Sequence, residues 1–144
     1  LVSLLVCVGC VGLIAGIAAW YQGDCKVVSV EPELAPTLYE SLIAGGRKTV
    51  EVGGIAADAL GSREVGEMMF PIAQLYVDDW VLVEEEAIMA AQQLLWEELR
   101  IMAEPAGVVP IAALISGRYV PDPDEKVGVL ICGGNMDLAK WKTP

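Results

Sequence analysis

The chain has 144 residues, the size of one domain, and carries 20 acidic against 9 basic residues for a net charge of −11. Apolar residues, counted with glycine and without tyrosine, make up about 62%, above the roughly 45–50% usual for soluble domains, so the excess asks for a partner or a membrane, while the acidic balance excludes the phosphate neutralisation on which nucleic-acid binding rests. Histidine is absent, which removes the commonest metal ligand and the usual base of serine and cysteine hydrolases.

Residues 1–20 carry no charge and are long enough to raise the question of a membrane span. Gly9, Gly12 and Gly16 interrupt the run, and no basic segment precedes it, so a strand over 4–8, a glycine turn and a helix over 13–21 are predicted instead. Cys7 and Cys10 make a single C-x-x-C in this stretch; with no second pair and no histidine, buried thiols account for it as well as zinc does. Together with Cys25 and Cys132 they lie in apolar or glycine-rich runs rather than a dense disulfide framework, which points to a reducing, cytoplasmic compartment.

A second strand is predicted over 26–30, followed by a helix over 35–44 closed by Gly45-Gly46. Residues 52–58 are a glycine loop in which Asp58 can cap the next helix, and a helix from Ser62 to about Phe70 is expected to stop before Pro71. A third strand over 80–83 leads through Glu84, Glu85 and Glu86 into a helix whose apolar stripe is Ile88, Ala91, Leu95, Leu99 and Met102, with Pro105 as its end. Glu104 would then sit at a helix C-terminus, where the dipole disfavours a carboxylate. A helix over 107–116, with Pro110 early in it, and a last strand over 127–131 complete the chain.

All-apolar strands alternating with helices give an α/β fold, three layers α/β/α around a mostly parallel sheet. In such sheets ligands gather at the carboxyl ends of strands, which directs attention to two glycine turns. The turn at Gly9-Cys10-Val11-Gly12-Leu13 aims backbone amides and a helix N-terminus at one point, suited to a phosphate, although close packing of a strand-helix corner explains the glycines equally well. The second turn, Cys132-Gly133-Gly134-Asn135, again follows a buried strand.

In order along the chain, the stretch 9–16, Val30-Glu31-Pro32-Glu33, Gly53-Gly54-Ile55-Ala56-Ala57-Asp58, Val77-Asp78-Asp79, Ala103-Glu104-Pro105-Ala106-Gly107 and Cys132-Gly133-Gly134-Asn135 resemble the carboxyl-terminal half of pyridoxal-phosphate enzymes of the tryptophan-synthase-like fold (fold type II). The similarity is strongest to the serine/threonine dehydratases and their relative serine racemase. The resemblance implies that Gly9, Cys10, Val11, Gly12 and Leu13 wrap the phosphate of pyridoxal 5′-phosphate, and that the loop with Gly54 lies near the ring. It also implies that Glu104 borders the active site and that Cys132, with Gly133, faces the pyridine nitrogen.

Four glycines stand in the family's phosphate turn where this chain has Cys10 and Val11 between two; a β-branched residue at positive φ costs roughly 1–3 kcal/mol, and its Cβ can obstruct an anion. Glu31, the backbone oxygen of Ala35 and Thr37 match a cation site of relatives, monovalent or divalent, with one carboxylate fewer than the racemase version.

Relatives hold the cofactor aldehyde on a lysine in a Ser-x-Lys segment, and none of Lys26, Lys48, Lys126, Lys140 or Lys142 has that setting. With no initiating methionine, residues 1–144 are expected to be the carboxyl-terminal part of a longer enzyme, inactive alone. The activity implied for the whole is loss of water and ammonia from L-serine or L-threonine to give a 2-oxo acid. The alternatives are serine racemase, threonine synthase, another fold type II enzyme, or an interaction module that keeps the fold without the chemistry. The apolar excess fits a homodimer of the full-length enzyme or contact with a missing half; neither nucleic acid nor membrane is an expected partner.

Overall fold

A computed structural model describes residues 2–137 and 139; Lys140 and Lys142, two of the lysines considered above, lie outside the described residues. Strands β1 (Ser3–Cys7), β2 (Lys26–Pro32), β3 (Asp79–Val83) and β4 (Val127–Val129) form one sheet in the order β3-β2-β1-β4. Every pair is parallel, with Leu5 opposite Val28 on one side and Val129 on the other.

Alternation along β1 explains why so apolar a strand is tolerated. Leu5 and Cys7 face one side of the sheet, where they join Val28, Val30 and the helices α5 (Glu85–Leu94) and α6 (Pro105–Ile115) through Ile88, Ala91, Val109 and Ala112. Val6 and Val8 face the other side, against α1 (Gly12–Tyr21), α2 (Thr37–Ala44) and α4 (Met69–Tyr76) through Ile14, Leu38 and Phe70. Both faces are covered, so the strand has no polar side to present, and the three-layer α/β architecture is as expected. No helix among the described residues is long and apolar enough to cross a membrane.

Several local expectations are corrected, and proline is behind two of them. No helix spans 62–70: a short α3 (Ala57–Leu60) precedes it and α4 begins at Met69, because Pro71 in a first turn needs no amide donor and fits a helix start better than an end. Asp58 lies inside α3 and makes no capping hydrogen bond. Pro105 likewise opens α6 rather than closing its predecessor. The stripe that includes Leu99 and Met102 fails earlier, where α5 passes into a π-helical turn over Leu95–Leu99. The wider turn advances the helical face, leaving Leu99 59% exposed while Leu95 stays buried. Arg100 then closes the segment at φ 57°, and the Ile101 amide donates back to the Leu95 carbonyl at 3.2 Å. Pro110 falls past the first turn of α6 and is buried, at the sacrifice of one helical donor to Ala106.

The chain runs from β1 to β2 and β3 in one direction, then crosses back to place β4 on the opposite flank of β1. The order therefore reverses beside β1, with α1 on one face and α6 on the other, and the crevice beyond the carboxyl ends of β1 and β4 is where such sheets bind ligands.

Candidate functional site

At that crevice lies a cavity of about 220 Å³ bordered by Cys7, Gly9, Cys10, Val11, Leu13, Glu104, Gly107 and Cys132, with Ala59 and Leu60 from α3. The volume is below the roughly 300–1,000 Å³ of ordinary ligand pockets, so these residues form a shallow recess rather than an enclosing pocket. Gly12 and Gly133 adjoin the lining residues in sequence, and Gly54 belongs to the neighbouring loop. Sequence reasoning missed Cys7, Ala59 and Leu60; their signal is weak, since only the position of Cys7 at the end of an apolar strand sets it apart.

The β1–α1 turn is held close to α3, where a Cβ on Gly9 would come within 2.9 Å of the Ala59 carbonyl oxygen. No side chain caps α1 and no acidic residue lies in its first turn. Among the described residues, the amides of Cys10, Val11, Gly12 and Leu13 have no protein acceptor. Donors without acceptors at a positive helix end are of the kind that suits an anion.

Val11 sits at φ 69° as expected for the strained position of the turn, yet its side chain is 1% exposed and packed with Val8 and Ile14. Burial turns this side chain into the core although Val11 still borders the cavity, and burying a valine stabilises by about 1.5–3 kcal/mol, comparable to the strain. Val11→Ala is expected to destabilise the chain by about 1–3 kcal/mol, losing methyl packing while keeping the positive φ, and Val11→Gly by less. This reverses the usual order of alanine over glycine, and urea midpoints of the two variants measure it. Cys10, by contrast, is exposed at the cavity edge.

The opposite wall is zipped together by backbone. The Glu104 amide donates to the Gly133 carbonyl at 3.0 Å and the Cys132 amide to the Gly107 carbonyl at 3.4 Å. Glu104 is the N-cap residue of α6, which corrects the expected placement at a helix C-terminus: here the dipole favours its carboxylate. Gly133, at φ 79°, lies directly under the Glu104 side chain, where a Cβ would collide with it. The Cys132 sulfur is 3.6 Å from that of Cys7, so Cys7 pairs across the crevice with Cys132 and not along the chain with Cys10. Burial, reinforced by the neighbouring Cys132, pushes the Cys7 thiol up to about 12; it stays protonated.

In the 53–58 loop, Gly54 takes φ 83° and the Ile55 amide donates to the Glu85 carboxylate at 2.7 Å. A second wall of the same region combines Ile55 and Asp58 with Glu104 and Asn135, so this loop approaches the main cavity from the side of α6.

Glu31, Ala35 and Thr37 lie together at the start of α2, away from the crevice lining. Both Glu31 oxygens are engaged there: they accept the Leu38 amide at 2.8 Å and the Tyr39 amide at 2.6 Å, while the Thr37 hydroxyl donates to the Ser62 carbonyl at 2.5 Å. Glu31 therefore caps α2 from β2. Among the described residues no group of three or more Cys, Asp or Glu is placed to hold a metal ion.

Burial raises the Glu31 carboxyl from 4.5 to about 7, against the lowering effect of the α2 amides. The folded chain then holds this proton more tightly than the unfolded one, so the group's stabilising contribution is complete below pH 4.5 and is lost as pH rises through about 7. Relative to Glu31→Gln, the urea midpoint of the unaltered chain is expected to fall across that window. A difference independent of pH would contradict the assignment.

The family described as Pyridoxal-phosphate dependent enzyme matches residues 2–133. The L-threonine ammonia-lyase of Geobacter sulfurreducens is 38% identical over 139 residues, covering 94% of this chain and 34% of the relative. A crystal structure of the T.th. threonine deaminase superposes with a TM-score of 0.85 at 34% identity, over 94% of this chain and 49% of that one. The serine racemase of Dictyostelium discoideum gives a TM-score of 0.85 at 33% identity, over 95% of this chain and 45% of that one. The chain thus spans between a third and a half of the length of these relatives.

Proposed function

Because the chain belongs to the pyridoxal-phosphate dependent enzyme family, we propose that residues 1–144 are the carboxyl-terminal part of a hydroxyamino-acid ammonia-lyase acting on L-threonine or L-serine. In this proposal the β1–β4 crevice holds the cofactor. The observation that carries it is that four amides without a protein acceptor at the start of α1 belong to residues on or next to the lining of the cavity that Cys132 and Glu104 also border. A phosphate ester would meet four donors and no opposing carboxylate in the first turn, with the Val11 side chain turned away into the core. The residues present fit the group.

When bound, pyridoxal phosphate supplies a carbonyl that condenses with the substrate amine and a ring that takes up electron density from the α-carbon. The amides of Cys10, Val11, Gly12 and Leu13 would anchor the phosphate end, and the backbone zipper between 104–107 and 132–133 fixes the far wall. Cys132 would face the ring nitrogen with a thiol in place of a carboxylate. Glu104, held at the α6 N-terminus, bounds the site beside it. The lysine that moves the α-proton is assigned to a part of the protein outside this chain. Across the reaction a hydroxyamino acid becomes a 2-oxo acid and ammonia, the water lost being regained on hydrolysis. Four free cysteines agree with a reducing compartment such as the cytoplasm.

Joining the chain to the amino-terminal part of the Geobacter sulfurreducens enzyme and adding pyridoxal phosphate is expected to give a yellow protein that forms 2-oxobutanoate and ammonia from L-threonine. Conversion of L-serine to D-serine with no 2-oxo acid would favour the racemase reading, which the similarity to the Dictyostelium protein supports. A folded, colourless product would overturn both.

A further inference from the structure

Cys7 and Cys132 meet across the crevice with their sulfur atoms 3.6 Å apart, on segments joined by the β1–β4 pairing. Both border the cavity, but Cys7 is 5% exposed at its floor whereas Cys132 is only partly buried. A reagent in the cavity therefore reaches Cys132, and Cys132 reaches Cys7. We propose that these two residues are a dithiol modification site that a small organic disulfide closes to a Cys7–Cys132 bond in the cavity wall.

The exchange balances in two steps. Cys132, having given its proton to solvent, attacks one sulfur of the reagent; a mixed disulfide forms and the first reagent thiolate leaves and takes up a proton. Cys7 then attacks the Cys132 sulfur, surrendering its own proton, and the second reagent thiol is released. The cysteines are oxidised by two electrons and the reagent disulfide is reduced to two thiols. Burial and the neighbouring Cys132 hold the Cys7 thiol near 12, so Cys7 does not lead the attack and acts as the slow, resolving partner. The bond is a property of this chain's own residues. Its consequence for catalysis, removal of the S–H that faces the ring nitrogen, rests on the cofactor reading.

Equilibrating the chain with 2-hydroxyethyl disulfide, then unfolding it and alkylating the remaining thiols, is expected to leave Cys7 and Cys132 unlabelled and joined to each other, Cys25 alkylated, and reagent held by the exposed Cys10 alone. Trypsin keeps Cys7, Cys10 and Cys25 on the peptide ending at Lys26, so the linked product should be that peptide joined to the one carrying Cys132. The same product should persist in Cys10→Ser and in Cys25→Ser, which assigns the bond to Cys7. In Cys132→Ser, Cys7 should remain alkylatable. A bond involving Cys10, reagent retained on Cys132 with Cys7 free, or four free thiols would each overturn the proposal. Because no cofactor is present in this experiment, its failure is distinguishable from failure of the functional reading.

Discussion

Cys10→Asp is expected to leave the chain folded and at least as stable, while lowering the affinity of the joined, complete enzyme for pyridoxal phosphate by on the order of 100-fold or more. Cys10 is exposed, so no packing is lost. Helix α1 begins without a side-chain cap and without an acidic residue in its first turn. A carboxylate placed there is worth about 0.3–1 kcal/mol to the helix through the free amides and the macrodipole. The same charge opposes a phosphate dianion: two like charges at about 4 Å repel by about 4 kcal/mol where the effective dielectric constant is about 20. One substitution thus moves stability and binding in opposite directions. Urea midpoints and the cofactor affinity of the joined enzyme measure the two, with Cys10→Asn as the uncharged control. Equal affinities for Asp and Asn would show that the phosphate lies elsewhere.

Gly107→Ala should destabilise the chain, although the position lies inside α6, where alanine ordinarily gains about 1 kcal/mol over glycine. A Cβ at this position would lie 1.4 Å from the carbonyl oxygen of Cys132. The obstacle is backbone and not the end of a flexible side chain, so relief requires separating α6 from the 132–133 segment. Separation breaks the Glu104 to Gly133 and Cys132 to Gly107 hydrogen bonds and parts the two thiols. A loss of about 1–3 kcal/mol is expected, the range for overpacked sites, with faster hydrogen exchange at the Glu104 amide. A variant more stable than the parent, with unchanged exchange, would refute the close approach.

The sheet and its covering helices were legible because unbroken apolar runs such as 4–8 and 26–30 have little alternative to a strand buried on both faces. Proline was harder to place: at Pro71 and Pro105 the residue marks a helix boundary without saying on which side the helix lies, and only tertiary packing decides. The π-helical turn that exposes Leu99 has no local signature, since the heptad-like spacing continues through it. At the site, the glycine turns were visible as turns, and the strained φ at Val11 follows from a family pattern that places glycine there. Which way Val11 would point was not legible, because the answer depends on a core assembled from α1 and α4. The pairing of Cys7 with Cys132 was hidden for the same reason: 125 residues separate them, while Cys10 stands nearby in sequence and competes for attention. The capping role of Glu31 was not legible, because only its position on β2 beneath the first turn of α2 brings it to the Leu38 and Tyr39 amides.

The direct measurement is a titration of the isotopically labelled chain with pyridoxine 5′-phosphate, which carries the phosphate and ring but no aldehyde to react with surface lysines, followed through backbone amide resonances. Saturable shifts should centre on Cys10, Val11, Gly12 and Leu13 and vanish in Cys10→Asp. Shifts confined to the surroundings of Lys26 and Lys48, or an unperturbed β1–α1 turn at saturating ligand, would contradict the assignment of this corner as the phosphate anchor.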